Sequence, residues 1–417
     1  MMHVMKHKTI SLAAAAALAL GSACAHAEIG FKAGAWDLSF SGNVNGFATW
    51  NTCDNTANVV AGGLACSKPA NGGVNEQKIE SGLLPSALVF SAKSRQMNLD
   101  IGVTIGFYPG LNGANGKTGL DTSGIDLRQN FLTFGDKSWG TVKVGKDIGL
   151  FASDAILADM TLLGVGSGAA FLGGNTTLGR IGVGYIYTDW IPQITYSSRS
   201  YGGFSFAGGV FQGVNIVPAG PAVGSATLTG HEEPGFQGKA SYEWKGTVSG
   251  KAWVSGIEQK VKARTGDTAG LASGSSVSGT GFDIGAKVNW GALEGVLYAY
   301  SADGIGTTAI GFNAASFNGV TLEKRKSDGW YAQATYKIGA FKPGVSYGES
   351  HLKLAGNESS ATNPTLVKTN KSTVFGLYYS LTPSLNLVAE YIPTEAENQA
   401  GGTVKDKVLA LGAILFF

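Results

Sequence analysis

Near-strict alternation between apolar and polar side chains, sustained over sixteen residues, leaves a chain few options. Trp36, Leu38, Phe40, Gly42, Val44, Gly46, Ala48 and Trp50 occupy every second position, with Asp37, Ser39, Ser41, Asn43, Asn45, Phe47, Thr49 and Asn51 between them. A period of two with one apolar face is a strand wetted on one side only. The same rhythm returns at Met97 to Phe107, Phe236 to Trp244, Phe282 to Trp290 and Trp330 to Ile338. Asp100, Lys239, Glu243, Asp283, Lys287, Gln333 and Lys337 fall on the polar rows. A dry core would not tolerate those charges unpaired, so the polar rows face water. Tryptophans bound the apolar row of the first run at both ends, as side chains at two membrane interfaces do.

The amino terminus carries an export signal. Lys6 and Lys8 precede an apolar run from Ile10 to Leu20, and Ala25-His26-Ala27 is a small-x-small cleavage site. Residues 1–27 are therefore expected to be removed, leaving 28–417 as one domain. Without Lys6 and Lys8 the chain has 29 basic and 29 acidic residues, a balance that argues against a nucleic-acid partner. Charged residues make up only 14% of the chain, against about a quarter in soluble domains. No later segment approaches the roughly 20 apolar residues of a membrane-spanning helix. An exported chain of this kind satisfies its backbone in lipid only as a closed barrel.

Sixteen strands are predicted, near 36–51, 82–93, 96–107, 126–134, 139–146, 185–197, 203–213, 234–245, 247–257, 280–290, 292–301, 328–338, 340–350, 371–380, 384–392 and 406–417. Runs 292–301 and 371–380 do not reveal which face points out. Long polar links alternate with tight turns at Ser94-Arg95, Lys245-Gly246, Gly291 and Gly339, the asymmetry of outer-membrane barrels. In the last strand Leu409, Leu411, Ala413, Leu415 and Phe417 share a face. Its terminal aromatic resembles the carboxy-terminal strand of outer-membrane proteins.

One link is unlike the rest. From about Asp147 to Gly184 the chain is long, glycine-rich and apolar, and Asp154 to Met160 has spacing for one or two helical turns. Long loops are usually functional, and an apolar one needs something to pack against. The expectation is that this segment folds into the barrel and narrows it. Cys53 and Cys66, both in one polar segment of an exported chain, are expected to form a disulfide. His231 and His351 are the only histidines beyond the leader. Neither has a neighbouring nucleophile or a ligand set, so no catalytic, metal or cofactor site is expected.

Taken together, these features resemble the Gram-negative general porins, trimeric sixteen-strand diffusion channels. The resemblance is carried by Leu127-Arg128-Gln129-Asn130-Phe131-Leu132-Thr133-Phe134-Gly135, by Trp139-Gly140-Thr141-Val142-Lys143-Val144-Gly145-Lys146, and by the long link that follows. It implies a third external loop folded into the lumen, with Asp154 and Asp159 as its acids. Arg128 and Lys146 would be bases on the facing wall of a constriction. Each aspartate could instead cap a helical turn. Arg128 falls on the face opposite Phe131, which directs it inward. Lys146 shares the parity of Val142 and Val144 and points outward unless Gly145 bends the strand, whereas Lys143 has inward parity. The residues between 82 and 93 carry no base before Lys93, so the basic ladder is thin and ion selectivity stays open.

The function expected is passive diffusion of small hydrophilic solutes and ions across the outer membrane, with no chemistry. Outer-membrane lipid, lipopolysaccharide and two further copies of the chain would be its partners. A substrate-specific channel, or an adhesin with a blocked lumen, are the alternatives. Small and polar residues on the inner rows, with Phe47, Trp253 and Tyr331 as scattered aromatics, favour the open general channel.

Overall fold

In the computed structural model, residues 29–54, 57–66, 75–111, 124–168, 176–220 and 224–417 are described. The leader expected over 1–27 lies outside them. Alternation becomes geometry on the first long strand, where Val44 and Trp50 are 57% and 43% exposed while Phe47 is 1% exposed. One row of each strand faces outward and is apolar; the other faces the interior.

The strands are β1 (Ile29–Ala33), β2 (Trp36–Asp54), β3 (Glu76–Glu80), β4 (Ala87–Gln96), β5 (Leu99–Pro109), β6 (Ile125–Asp136), β7 (Gly140–Ile148), β8 (Trp190–Ser197), β9 (Phe204–Phe211) and β10 (Gly235–Trp244). They continue with β11 (Val248–Lys262), β12 (Ser276–Trp290), β13 (Leu293–Asp303), the short hairpin β14 (Ala315–Phe317) and β15 (Leu322–Lys324), then β16 (Lys326–Tyr336), β17 (Phe341–Leu352), β18 (Val367–Ser380), β19 (Leu385–Asn398) and β20 (Thr403–Phe416). Each wall strand pairs antiparallel with its neighbour. Pairing of β2 with β20, from Asn43↔Phe416 to Asp54↔Lys405, joins the ends. Reciprocal backbone bonds between Gly42 and Phe417 finish the seam, and β1 pairs with the start of β2. The sixteen wall strands are β2, β4 to β13 and β16 to β20. The outward row of β20 is as expected, with Leu409, Leu411 and Leu415 exposed and Ile414 buried.

Three local departures matter. The first tight turn falls at Met97 and Asn98, both left-handed with φ of 48° and 66°, not at Ser94-Arg95, which remain in β4. Two consecutive positive φ values are those of a type I′ hairpin turn. The strand expected over 82–93 begins only at Ala87, because residues 81–86 leave the ladder. Pro85 has no N–H for it, and a Cβ on Gly82 would lie 2.3 Å from the Gly164 carbonyl oxygen. Finally, the register of β5 against β6 slips by one residue between Gly106 and Tyr108, a bulge that re-aims the side chains beyond it.

A sixteen-strand barrel is too wide for its own wall side chains to fill. The described parts of the 149–189 link, residues 149–168 and 176–189, pack against the inner rows of the wall. Phe151, Ile156, Ile181, Val183 and Ile186 form one core with Trp253, Tyr298, Tyr300 and Tyr331. On the far wall Met160 and Val165 pack with Phe47, Val374, Tyr378, Val388, Ile392 and Val408. The inner rows are therefore not uniformly small and polar. Where the link lies on them they are aromatic and aliphatic, which resolves the two strands whose faces the sequence left ambiguous. Cys53 and Cys66 are disulfide-bonded.

Candidate functional site

The described parts of the link have little regular structure, so their backbone groups need other partners. Inward side chains of the wall supply them. Gln237 on β10 accepts hydrogen bonds from Leu150 and Phe151 N–H at 2.7 and 3.0 Å. Asp283 on β12 accepts from Ala152 N–H at 2.8 Å. Gln333 on β16 accepts from Met160 N–H and donates to the Ala158 carbonyl, at 2.8 and 3.0 Å. Glu390 on β19 accepts from Val165 and Gly166 N–H, both at 2.8 Å. Within the link a six-residue helix α1 (Ser153–Ala158) and a 3-10 turn (Met160–Leu163) form, matching the helical spacing around Asp154.

The two candidate acids differ sharply. Asp154 is bracketed by two wall lysines, Lys239 at 2.8 Å and Lys251 at 2.5 Å. Burial pushes its carboxyl up, but the two ammonium groups prevail and hold it at about 2. Asp159 has turned away from water and is 3% exposed. Its Oδ1 accepts from Thr161 N–H and hydroxyl, capping the 3-10 turn, and its Oδ2 accepts from the Tyr185 hydroxyl at 2.9 Å and from Arg180 N–H at 3.2 Å. Burial raises its pKa against the nearby Arg180 charge. With its oxygens engaged in packing, Asp159 is a cap and not a free acid of the interior.

The candidate bases lie on β6 and β7. Arg128 faces the interior, its Nε donating to Asp126 at 2.9 Å and its guanidinium 5.6 Å from the centre of the Tyr108 ring. Phe131 faces inward as well, 4.9 Å beneath the Lys143 ammonium, so the premise that Arg128 lies opposite Phe131 fails. The bulge in the β5–β6 register lets both point in. Lys143 pairs with the fully buried Asp147, whose other oxygen accepts from Gln129 at 3.1 Å. Lys146 takes the other row. It sits opposite Asn130 and Pro192, both exposed on the outer face, and Gly145 with φ of 132° does not reverse that parity. Arg128 and Lys143 thus share one inner wall, Asp154 lies on the link against another, and Asp159 and Lys146 join neither.

A sequence model described as Gram-negative porin matches residues 13–399. The chain belongs to the Gram-negative porin family. It is a passive diffusion channel of the outer membrane. No curated protein matches it in sequence. Among solved structures, the porin is similar to the outer-membrane channel DcaP of Acinetobacter baumannii, with TM-score 0.66 and 16% identity over 93% of this chain and 99% of that one. It is similar also to OmpF of Salmonella typhi in complex with daunomycin, with TM-score 0.55 and 15% identity over 93% and 100%. OmpT of Vibrio cholerae, in a trimer form, gives 0.51 and 15% over 92% and 100%. At these identities the likeness is one of fold, and the residues of the porin's interior have to be argued from its own geometry.

Sequence reasoning missed Lys251 as a partner of Asp154, and it placed Lys239 on an inner row without giving it a role. A usable signal was present. Lys239, Lys251 and Lys287 have inward parity on three successive strands, and the one acid of α1 is the group they would seek.

Proposed function

We propose that this porin passes small hydrophilic solutes and ions through a lumen narrowed by the 149–189 link, and that the long-link side of the barrel is the external one. The carrying observation is the set of side chains on β10, β12, β16 and β19 that bond the link's backbone. Arg128 and Lys143 on the β6–β7 wall, with the partly exposed Lys239 and Lys251 around the covered Asp154, supply the fixed charge of the narrow zone. At about 8 Å and an effective dielectric near 20, one unit pair interacts by roughly 2 kcal/mol. Such a field orders water and favours polar over apolar solutes without trapping them.

Burial of Asp159 supports a structural role for it, and the outward row of Lys146 supports a role at the lipid side. A leader over residues 1–27, contact of the outer face with outer-membrane lipid and lipopolysaccharide, assembly of three copies and the absence of a chemical step belong to the same reading. The trimer rests on likeness to proteins such as the V. cholerae OmpT. Stepwise, ohmic conductance of the purified mature protein in planar bilayers is the expected result. Correctly folded protein that leaves the membranes silent would overturn the reading.

A further inference from the structure

Lys251 on β11 and Lys287 on β12 are direct register partners. Like charges directly opposite one another on one face of a sheet repel, so a pair at this position needs compensation. Two carboxylates supply part of it, each shared between two ammonium groups. Asp154 takes Lys251 on Oδ1 and Lys239 on Oδ2, at 2.5 and 2.8 Å. Glu294 on β13 takes Lys287 on Oε2 and Lys342 on Oε1, at 2.8 and 3.3 Å. The four lysines form a row across the inner face from β10 to β17. Lys251, Lys287, Glu294 and Lys342 all lie near the tight-turn ends of their strands.

Four ammonium groups against two carboxylates leave a surplus of positive charge. Two further acids are close. Asp283 lies deeper on β12, fully buried, and is engaged by Ala152 N–H. Glu243 is exposed and stands opposite Lys251 in register on β10. It offsets part of the surplus from the rim. The lysine side chains are 20, 30, 34 and 40% exposed from Lys239 to Lys342, whereas the carboxylates that hold them are 7 and 17% exposed. The acids are covered and the ammonium groups are wet. An ammonium has three donors, and the ion pair of each lysine uses one of them. Lys239 spends a second donor on the Ser153 hydroxyl at 3.1 Å, and the partial exposure of the other three leaves donors within reach of a solute on the turn side of the link.

We infer that this row is a subsite for small dianions, with Lys251 and Lys287 at its centre, where a doubly charged ligand would bridge the two ammonium groups and relieve their repulsion. The inference rests on the reading that the barrel's interior conducts. It adds that the channel holds a dianion transiently, on the turn side of its narrow zone.

Inorganic phosphate is the probe, titrated into a potassium chloride bath on the turn side of wild-type channels in planar bilayers. Phosphate is expected to lower the chloride current saturably. Lys251→Gln with Lys287→Gln should raise the half-blocking concentration roughly tenfold, as loss of two contacts with a dianion implies. Glu243→Gln should lower it, a gain that a merely structural lysine row would not produce. Lys342→Gln, at the most exposed end of the row, should weaken block and keeps the test decisive if the double variant does not fold. Channels that conduct chloride but ignore phosphate would overturn the subsite and leave the channel reading intact. Block that survives in the lysine variants would overturn it too, and folded protein that never conducts would overturn both readings.

Discussion

The backbone N–H of Ala152 donates to the carboxylate of Asp283, 131 positions further along the chain, at 2.8 Å. Ala152 is the residue before α1 and is left-handed, with φ 60° and ψ 6°. A non-glycine residue pays roughly 1–2 kcal/mol for that conformation, so the tether from β12 holds the link in a shape its own backbone resists. Asp283→Ala removes a buried partner, at a cost of about 1–3 kcal/mol. Open-channel current should become noisier, since the first turn of the link is freed. Ala152→Gly relieves the backbone and should raise the unfolding temperature. An Asp283→Ala channel as quiet as the wild type would remove the tether from the account.

Lys143 and Lys146 are three residues apart on β7 but take opposite rows. Lys143→Gln deletes an interior cation and leaves Asp147 without its partner, so the reversal potential in a salt gradient should move towards cations. A change of up to about fivefold in permeability ratio corresponds to the 1 kcal/mol typical of a partly exposed charge. Lys146→Gln should leave the potential where it was. Equal shifts in the two variants would mean that β7 twists more than its register implies.

Much of the wall was legible because period-two patterning is local. Phe282 and Asp283 declare their faces from their immediate neighbours. The bulge between β5 and β6 is not local: it depends on which residues of two strands meet, so Arg128 and Phe131 share the inner side although their spacing of three puts them on opposite faces of a regular strand. The gap at 81–86 was hidden for a related cause, since Gly82 leaves the ladder to make room for Gly164, some eighty positions away. Aromatic lining at Tyr298, Tyr300 and Tyr378 was unreadable because those strands are apolar on both faces, and only the presence of the link tells which face it covers. Asp154 and Asp159 look alike in sequence. What separates them is the pair of lysines that reaches one and the Tyr185 hydroxyl that reaches the other.

The Asp154 clamp has a defined acid limit. Its carboxyl is lowered from the ordinary 3.8 to about 2 by Lys239 and Lys251, which outweigh burial. A group whose pKa is depressed by folding contributes stability that is present above its unfolded value and is lost as pH falls through its folded value. The clamp should therefore be intact from neutral pH down to about 4 and weaken only as pH approaches 2. The difference in conductance steps between the wild type and Asp154→Asn should be constant over pH 7 to 4 and close only as pH approaches 2. A difference that closed near pH 6 would mean that the two lysines do not hold Asp154 ionised.

Glu390 offers the sharpest test of how the far end of the link is held. Its Oε2 accepts from two consecutive N–H groups, Val165 and Gly166, and its Oε1 from the Tyr378 hydroxyl at 2.8 Å. The residue is 1% exposed, so each donor it serves has no water to turn to. Glu390→Gln places an amide N–H₂ where one carboxylate oxygen was, and should lower stability by about 1–3 kcal/mol. Gly164→Ala attacks the same contact from the link side, since its Cβ would lie 2.1 Å from Oε1 of Glu390. Each variant should unfold at a lower temperature and conduct more, because the link lifts from β19. Two changes that break one contact do not add: the double variant should lose less stability than the two losses combined, with a coupling of about 0.5–3 kcal/mol. Full additivity in denaturant unfolding would mean that Gly164 is constrained by something other than Glu390, and that the carboxylate does not anchor the link.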